Sequence, residues 1–197
     1  MAVGSSYSLK QVQRRLLKSK VLGLLRQKDR LDASIAITHR LCSHPVWQDA
    51  QVVALYSALP SEPDTSDIFR LAKASKKTVL FPRVDKDHLS FFIVDKKEDL
   101  EENFLNVLEP RLGCVEASIQ DIDLILIPGV GFDRQGHRLG RGLGFYDRCL
   151  SLLSPRACRI GLFFSFQEFP KIYTEPHDQR LDLVITEKEL IRTSSSC

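Results

Sequence analysis

The chain reads as an α/β protein: a single domain with a largely parallel β-sheet flanked by helices. Three observations predict this. Short apolar runs recur without polar alternation, as in Val52-Val53-Ala54-Leu55-Tyr56, Leu124-Ile125-Leu126-Ile127 and Leu183-Val184-Ile185-Thr186. That is the pattern of strands buried on both faces. Segments with helical spacing fall between such runs, one from Ser66 with Ile68, Phe69 and Leu71, another from Phe145 to Leu153. One strand runs directly into a glycine-rich loop and then a helix, over residues 124–150.

The elements follow in order. Ser8 with Gln11 resembles a capping box, and Leu9, Val12, Leu16, Leu17, Val21, Leu24 and Leu25 then recur at helical spacing. A second helix is expected from near Asp32 to Leu41, with Ile35 and Leu41 inward, ended by His44-Pro45. Strands are expected at Val52–Tyr56, Thr78–Phe81, Leu89–Val94, Leu124–Ile127, Arg159–Phe164 and, last, Leu183–Thr186. Residues 95–122 are polar and give no clear period. There is no internal repeat and no linker, so one domain over residues 1–192 is expected, with a disordered serine-rich tail at 193–197. The strand order is not readable from this pattern.

Bulk properties narrow the function classes. With 197 residues, 43% of them apolar, the chain suits one globular domain with a full core. A formal charge of +3 is too small to argue for nucleic acid. Five scattered cysteines without a CxxC pair read as thiols of a reducing compartment. No run is long enough to span a membrane, and the start lacks a signal-peptide core, so a cytoplasmic protein is expected. The first thirty residues are strongly basic, with Lys10, Arg14, Arg15, Lys18, Lys20, Arg26, Lys28 and Arg30 against Asp29. A solvated helix face, an organelle-targeting helix and a polyanion-binding surface all fit that bias.

The most specific stretch is residues 128–147, PGVGFDRQGHRLGRGLGFYD, which holds Gly129, Gly131, Gly136, Gly140, Gly142 and Gly144. Arg134, Arg138 and Arg141 are interleaved with them. Open backbone N–H groups, guanidinium forks and a following helix N-terminus all favour an anion, so the loop is expected to cradle phosphate. It is not a Walker A loop, because His137-Arg138 follows the second glycine of the GxxxxG spacing. It is not a dinucleotide fingerprint either, because no glycine sits three after Gly142. Phosphate chemistry on ATP needs a divalent metal. Asp147, one turn into the post-loop helix, and Asp182, ahead of the last strand, are candidate Mg²⁺ ligands. Lys10 and Arg14 share a helix face and could reach the same phosphates. His137 and His177 have the chemistry of acid–base groups but lie in loops where surface hydrogen bonding is commoner.

These residues resemble the signature of the 5-formyltetrahydrofolate cyclo-ligase family, whose core runs PGxxFDxxGxRLGxGxGYYD. The resemblance extends over Lys10-x-x-x-Arg14, the Pro60-Ser61-Glu62-Pro63-Asp64-Thr65 loop, Phe81-Pro82-Arg83-Val84, Asn106-Val107-Leu108-Glu109-Pro110, and His177-Asp178 with Leu181 to Thr186. It implies ATP-dependent cyclisation of 5-formyltetrahydrofolate to 5,10-methenyltetrahydrofolate, through a phosphorylated formyl group, by a monomer acting on small molecules. It further implies that Lys10, Arg14, Arg138, Leu139, Gly140, Arg141, Gly142, Leu143, Gly144, Phe145 and Tyr146 hold ATP, with Arg141 catalytic. Tyr56, Glu62 and the Arg141-to-Phe145 segment would contact the folate, and Asp147 and Asp182 would hold Mg²⁺. Phe145 departs from the family's tyrosine, and Leu105 from its aromatic. The competing class is a noncatalytic RNA- or nucleotide-binding module on the same fold, served by the basic first helix.

Overall fold

Strands with apolar side chains on both faces need cover from both sides, and the observed sheet has it. The computed structural model describes residues 9–17, 27–86, 88–103 and 107–193. Five strands run parallel: β1 (Val52–Ala54), β2 (Thr78–Asp85), β7 (Leu124–Ile127), β10 (Cys158–Leu162) and β11 (Leu183–Ile185). β3 (His88–Ile93) and then β6 (Glu116–Ala117) extend one edge antiparallel, and β12 (Leu190–Arg192) extends the other. Two ribbons stand outside the sheet: β4 (Leu100–Glu102) with β5 (Leu108–Pro110), and β8 (Gly131–Phe132) with β9 (Arg138–Leu139). The helices are α1 (residues 9–17), α2 (Gln27–Cys42), α3 (Pro45–Asp49), α4 (Ser66–Ala74) and α5 (Phe145–Leu150).

The central strand β7 shows why the sheet sits where it does. All four of its side chains are buried. Leu124 and Leu126 enter a core with Ile37, Leu41, Trp47, Ile68 and Phe69 from α2, α3 and α4. Ile125 and Ile127 enter the opposite core with Cys149 and Leu150 of α5. Each such burial stabilises by about 1.5–3 kcal/mol, enough to hold so short a strand at the centre.

The order of the parallel strands is β2-β1-β7-β10-β11. The chain leaves β1 through α4, on one face, and leaves β7 through α5, on the other. The winding therefore reverses between β1 and β7. A crevice at the carboxyl ends of two such strands is where open α/β sheets bind ligands.

Several expectations are corrected. Ile35 is 38% exposed, and Ile37 takes its place inward with Leu41, because i and i+4 share the face that meets the sheet. In α1, Val12 and Leu16 are half exposed while Lys10, Gln13 and Leu17 are buried. The helix docks through polar contacts: Gln13 donates to the Lys171 carbonyl at 2.7 Å and accepts from the Tyr173 amide at 3.3 Å. Ser8, expected to cap it, and Val21, Leu24 and Leu25 lie outside the described residues. The post-loop helix ends at Leu150 and passes into a turn before Leu153. β11 is not the last strand, since Thr186 turns the chain back into β12 by accepting the Lys188 and Glu189 amides. Residues 95–122 form β4, β5 and β6, each of three residues or fewer, too short to show a period. Thr193, expected in the disordered tail, donates its amide to the Asp182 carbonyl at 3.0 Å.

One buried carboxylate shapes the loop that follows β7. Asp133 is 1% exposed. Its Oδ1 accepts the amides of Gln135 and His137, both at 3.0 Å. Its Oδ2 accepts the Ile172 amide at 2.9 Å and the His137 ring Nδ1–H at 2.9 Å. Gly136 closes this turn at φ +83°, where a Cβ would lie 2.7 Å from the Leu181 carbonyl oxygen. Asp133→Ala is expected to lower stability by about 2–4 kcal/mol, measured by urea unfolding; a loss below about 0.5 kcal/mol would contradict the role. The Cys149 thiol is 4% exposed, and burial pushes its pKa up to about 12 against the opposing pull of Arg138. Iodoacetamide at pH 8 is expected to spare Cys149 in the native protein and to label it after denaturation, read by peptide mass mapping. Labelling of the native protein at the rate of the half-buried Cys114 would refute this.

Candidate active site

The crevice at the winding reversal opens into a cleft of about 550 Å³. One side comes from the segment after β1, with Tyr56, Leu59 and Glu62. The other comes from the glycine-rich loop after β7, with Pro128, Gly129 and Arg138 to Arg148. Lys10 and Arg14 of α1 close one end with Glu175, His177 and Asp178. Pro82, Val84, Leu89 and Leu108 make an apolar wall at β2, β3 and β5.

Charge inside the cleft is closely matched. Lys10, only 4% exposed, holds Asp178 Oδ2 at 2.5 Å and Glu175 Oε2 at 2.7 Å. Arg138 Nη2 meets Asp147 Oδ1 at 3.0 Å, and Arg141 Nη2 meets Glu62 Oε1 at 2.7 Å. Arg14 donates Nε to the Gly140 carbonyl at 2.9 Å. Buried charge of either sign is stable only when paired this way. Arg138 is also buried, and among the described residues its Nε has no hydrogen-bond partner. A buried orphan donor is costly unless an acceptor completes it, so this atom fits an anion.

The loop bends so that its side chains reach these places. Gly142 has φ +108° and Gly144 φ +69°, a left-handed pair that flanks exposed Leu143 and leads into α5. Other residues avoid that region. Arg141 therefore projects across the cleft mouth to Glu62 and to Ser61 Oγ at 3.1 Å. Phe145 and Tyr146 follow on α5, and burial first of all pushes the Tyr146 phenol above its usual range, so it stays neutral. Tyr56 is likewise neutral, buried, and donates its hydroxyl to the Pro63 carbonyl at 2.9 Å.

The structure brings together most of the residues singled out from sequence. Lys10, Arg14, Tyr56, Glu62, Arg138 and every residue from Leu139 to Asp147 line one cleft. Three others do not face it. Arg134 turns outward to Glu168 at 2.8 Å and Glu189 at 2.5 Å, because the Asp133 turn directs it away. His137 is locked by Asp133, and its Nε2 accepts from Arg180 Nε at 3.2 Å. Asp182 is absent from the lining; its carboxylate accepts the Arg159 amide at 2.9 Å, joining β10 to the residue before β11. Asp178, four residues earlier, faces the cleft instead. Glu175, His177 and Asp178 offer ligand atoms within 4.8 Å of one another. Asp147 adjoins them, accepting the Gln179 amide at 3.3 Å. Glu175, His177 and Asp178, with Asp147 close by, are candidates to hold a divalent cation in the cleft. Because Lys10 is buried and Arg14 half-buried against this site, neither belongs to an outward basic face of the kind a bound RNA would need. Among the described residues no helix is long and apolar enough to cross a membrane.

Known proteins share both sequence and shape. A family model described as the 5-formyltetrahydrofolate cyclo-ligase family matches residues 7–187. The 5-formyltetrahydrofolate cyclo-ligase of Mus musculus is 29% identical over 95% of this chain and 98% of its own length. That of Mycoplasma pneumoniae is 32% identical over 70% of this chain and 74% of its own. The NMR structure of Aquifex aeolicus 5,10-methenyltetrahydrofolate synthetase superimposes with a TM-score of 0.84 at 29% identity, covering 94% of this chain and 93% of that one. With a matched family model spanning the cleft, its loop and all five parallel strands, the chain belongs to the 5-formyltetrahydrofolate cyclo-ligase family.

Proposed function

We propose that this protein is an enzyme that cyclises 5-formyltetrahydrofolate to 5,10-methenyltetrahydrofolate with conversion of ATP to ADP and phosphate. The observation that carries this reading is the Arg141–Glu62 pair, which joins the glycine-rich loop to the loop after β1 across one cleft. A nucleotide site and a folate site that share a charged contact suit a reaction in which phosphate passes between them.

The chemistry needs no side-chain nucleophile. The formyl oxygen attacks the γ-phosphorus and ADP leaves. N10 of the folate then attacks the formyl carbon and loses its proton; the C–N bond forms, the C–O bond breaks, and phosphate departs with the formyl oxygen. The protein positions the groups and stabilises charge. Lys10, Arg14, Arg138 and the backbone from Leu139 to Tyr146 receive the triphosphate. Arg141, between the two sites, faces the transferring phosphoryl group. Glu62 accepts N–H donors of the pterin edge, and Tyr56, with Gly142 to Phe145 and the apolar wall, borders the ring system. Mg²⁺, when bound, neutralises phosphate charge, and Asp147 with Asp178 would hold it, in place of the Asp147–Asp182 pair expected from sequence. A monomer working in the cytoplasm completes the reading.

Purified protein given 5-formyltetrahydrofolate, ATP and Mg²⁺ is expected to generate the near-ultraviolet absorbance of the methenyl product. Arg141→Ala is expected to lower kcat by about 10²–10³. Glu62→Ala is expected to raise the folate KM roughly tenfold or more while leaving nucleotide binding in place. Folded protein that makes no product would refute the proposal.

A further inference from the structure

Arg30 stands outside the cleft, on the first turn of α2, yet it grips the loop that carries Glu62. Its Nε donates to the Glu62 carbonyl at 3.0 Å and its Nη2 to the Leu59 carbonyl at 3.3 Å. Those carbonyls are the two ends of a tight turn, in which the Glu62 amide donates to the Leu59 carbonyl at 2.9 Å. Glu62 folds back over the same turn, its Oε2 accepting the Leu59 amide at 3.0 Å. The next residues are tied to the same helix. The Asp64 amide donates to Ser34 Oγ at 2.9 Å, and Ser34 Oγ donates to the Arg30 carbonyl at 2.8 Å. The Asp64 carboxylate lies 3.9 Å from Arg30 Nη2.

We propose that Arg30 is a positioning residue for the folate, fixing the Leu59–Glu62 turn from behind so that the Glu62 carboxylate is aimed into the cleft. The inference rests on the reading of Glu62 as a folate contact. A carboxylate serves directional recognition only when its backbone and rotamer are held from outside the site. One planar guanidinium spans both carbonyls at once; an ammonium is a point donor on a flexible stem and cannot reproduce that fork. Arg30 acts on the folate side, because among the described residues its guanidinium contacts lie on the loop after β1 and none on the glycine-rich loop.

The test compares Arg30→Ala, Arg30→Lys, Glu62→Ala and the Arg30→Ala/Glu62→Ala double variant, each checked for native circular dichroism. Arg30→Ala is expected to raise the KM for 5-formyltetrahydrofolate roughly tenfold, with equilibrium binding of Mg·ATP unchanged. Arg30→Lys falls between Arg30→Ala and the natural protein, and carries the test if Arg30→Ala does not fold. In the Glu62→Ala background, Arg30→Ala adds no further rise, because there is no carboxylate left to aim. The inference is overturned if the Arg30 variants leave the folate KM unchanged while Glu62→Ala raises it, if nucleotide binding weakens as much, or if the effect persists in full in the double variant. Should Glu62→Ala itself leave the folate KM unchanged, the reading of Glu62 fails and the inference falls with it.

Discussion

β1 and β7 are neighbours in the sheet, and the chain leaves their carboxyl ends toward opposite faces. The helices that cover the sheet therefore part at this point, and the two departing loops must line the gap. Every other feature of the site depends on that geometry. It sets the Glu62 turn opposite the glycine-rich loop, where Arg141 can bridge them. It also leaves room for α1 to close one end, docked by Lys10, Gln13 and Arg14. Leu17 completes the docking by packing on Leu139 and Ile172.

The second constraint is electrostatic. Lys10, Arg138 and Arg141 each face a carboxylate of the same chain, at 2.5 to 3.0 Å. A pairing of this kind holds a cluster of like charges in place that would otherwise repel. In the proposed reaction, a triphosphate offers new partners to the cations and a divalent metal offers one to Asp147 and Asp178. The same side chains that stabilise the cleft then become its ligand contacts. Asp133 does no such chemistry; its four accepted hydrogen bonds hold the loop in the shape that makes the exchange possible.

Much of this was legible in the sequence, for identifiable reasons. The sheet showed in unbroken apolar runs, since a strand covered on both faces has no polar side to display. The strand–loop–helix site showed in the spacing of glycines and arginines, and Lys10, Arg14 and Glu62 showed in the resemblance to a family. What stayed hidden depended on tertiary contact. Val12 and Leu16 have the right spacing for a core face, yet α1 docks by Gln13 and Lys10, whose partners lie about 160 residues away in the chain. Asp182 and Asp178 are equally acidic on paper; strand pairing claims the first, and the loop after Glu175 turns the second into the cleft. Arg30 gave no signal of its own within a strongly basic stretch, because its role rests on two backbone carbonyls of a distant loop.

The central claim is that the folate's formyl oxygen takes the phosphoryl group in the cleft between Arg141 and Glu62. Turnover of 5-formyltetrahydrofolate carrying ¹⁸O in the formyl group, with mass spectrometry of the released phosphate, tests it directly. The account predicts one formyl-derived ¹⁸O atom in inorganic phosphate for each methenyl product formed. Phosphate that carries no label, with label recovered in water, would contradict it.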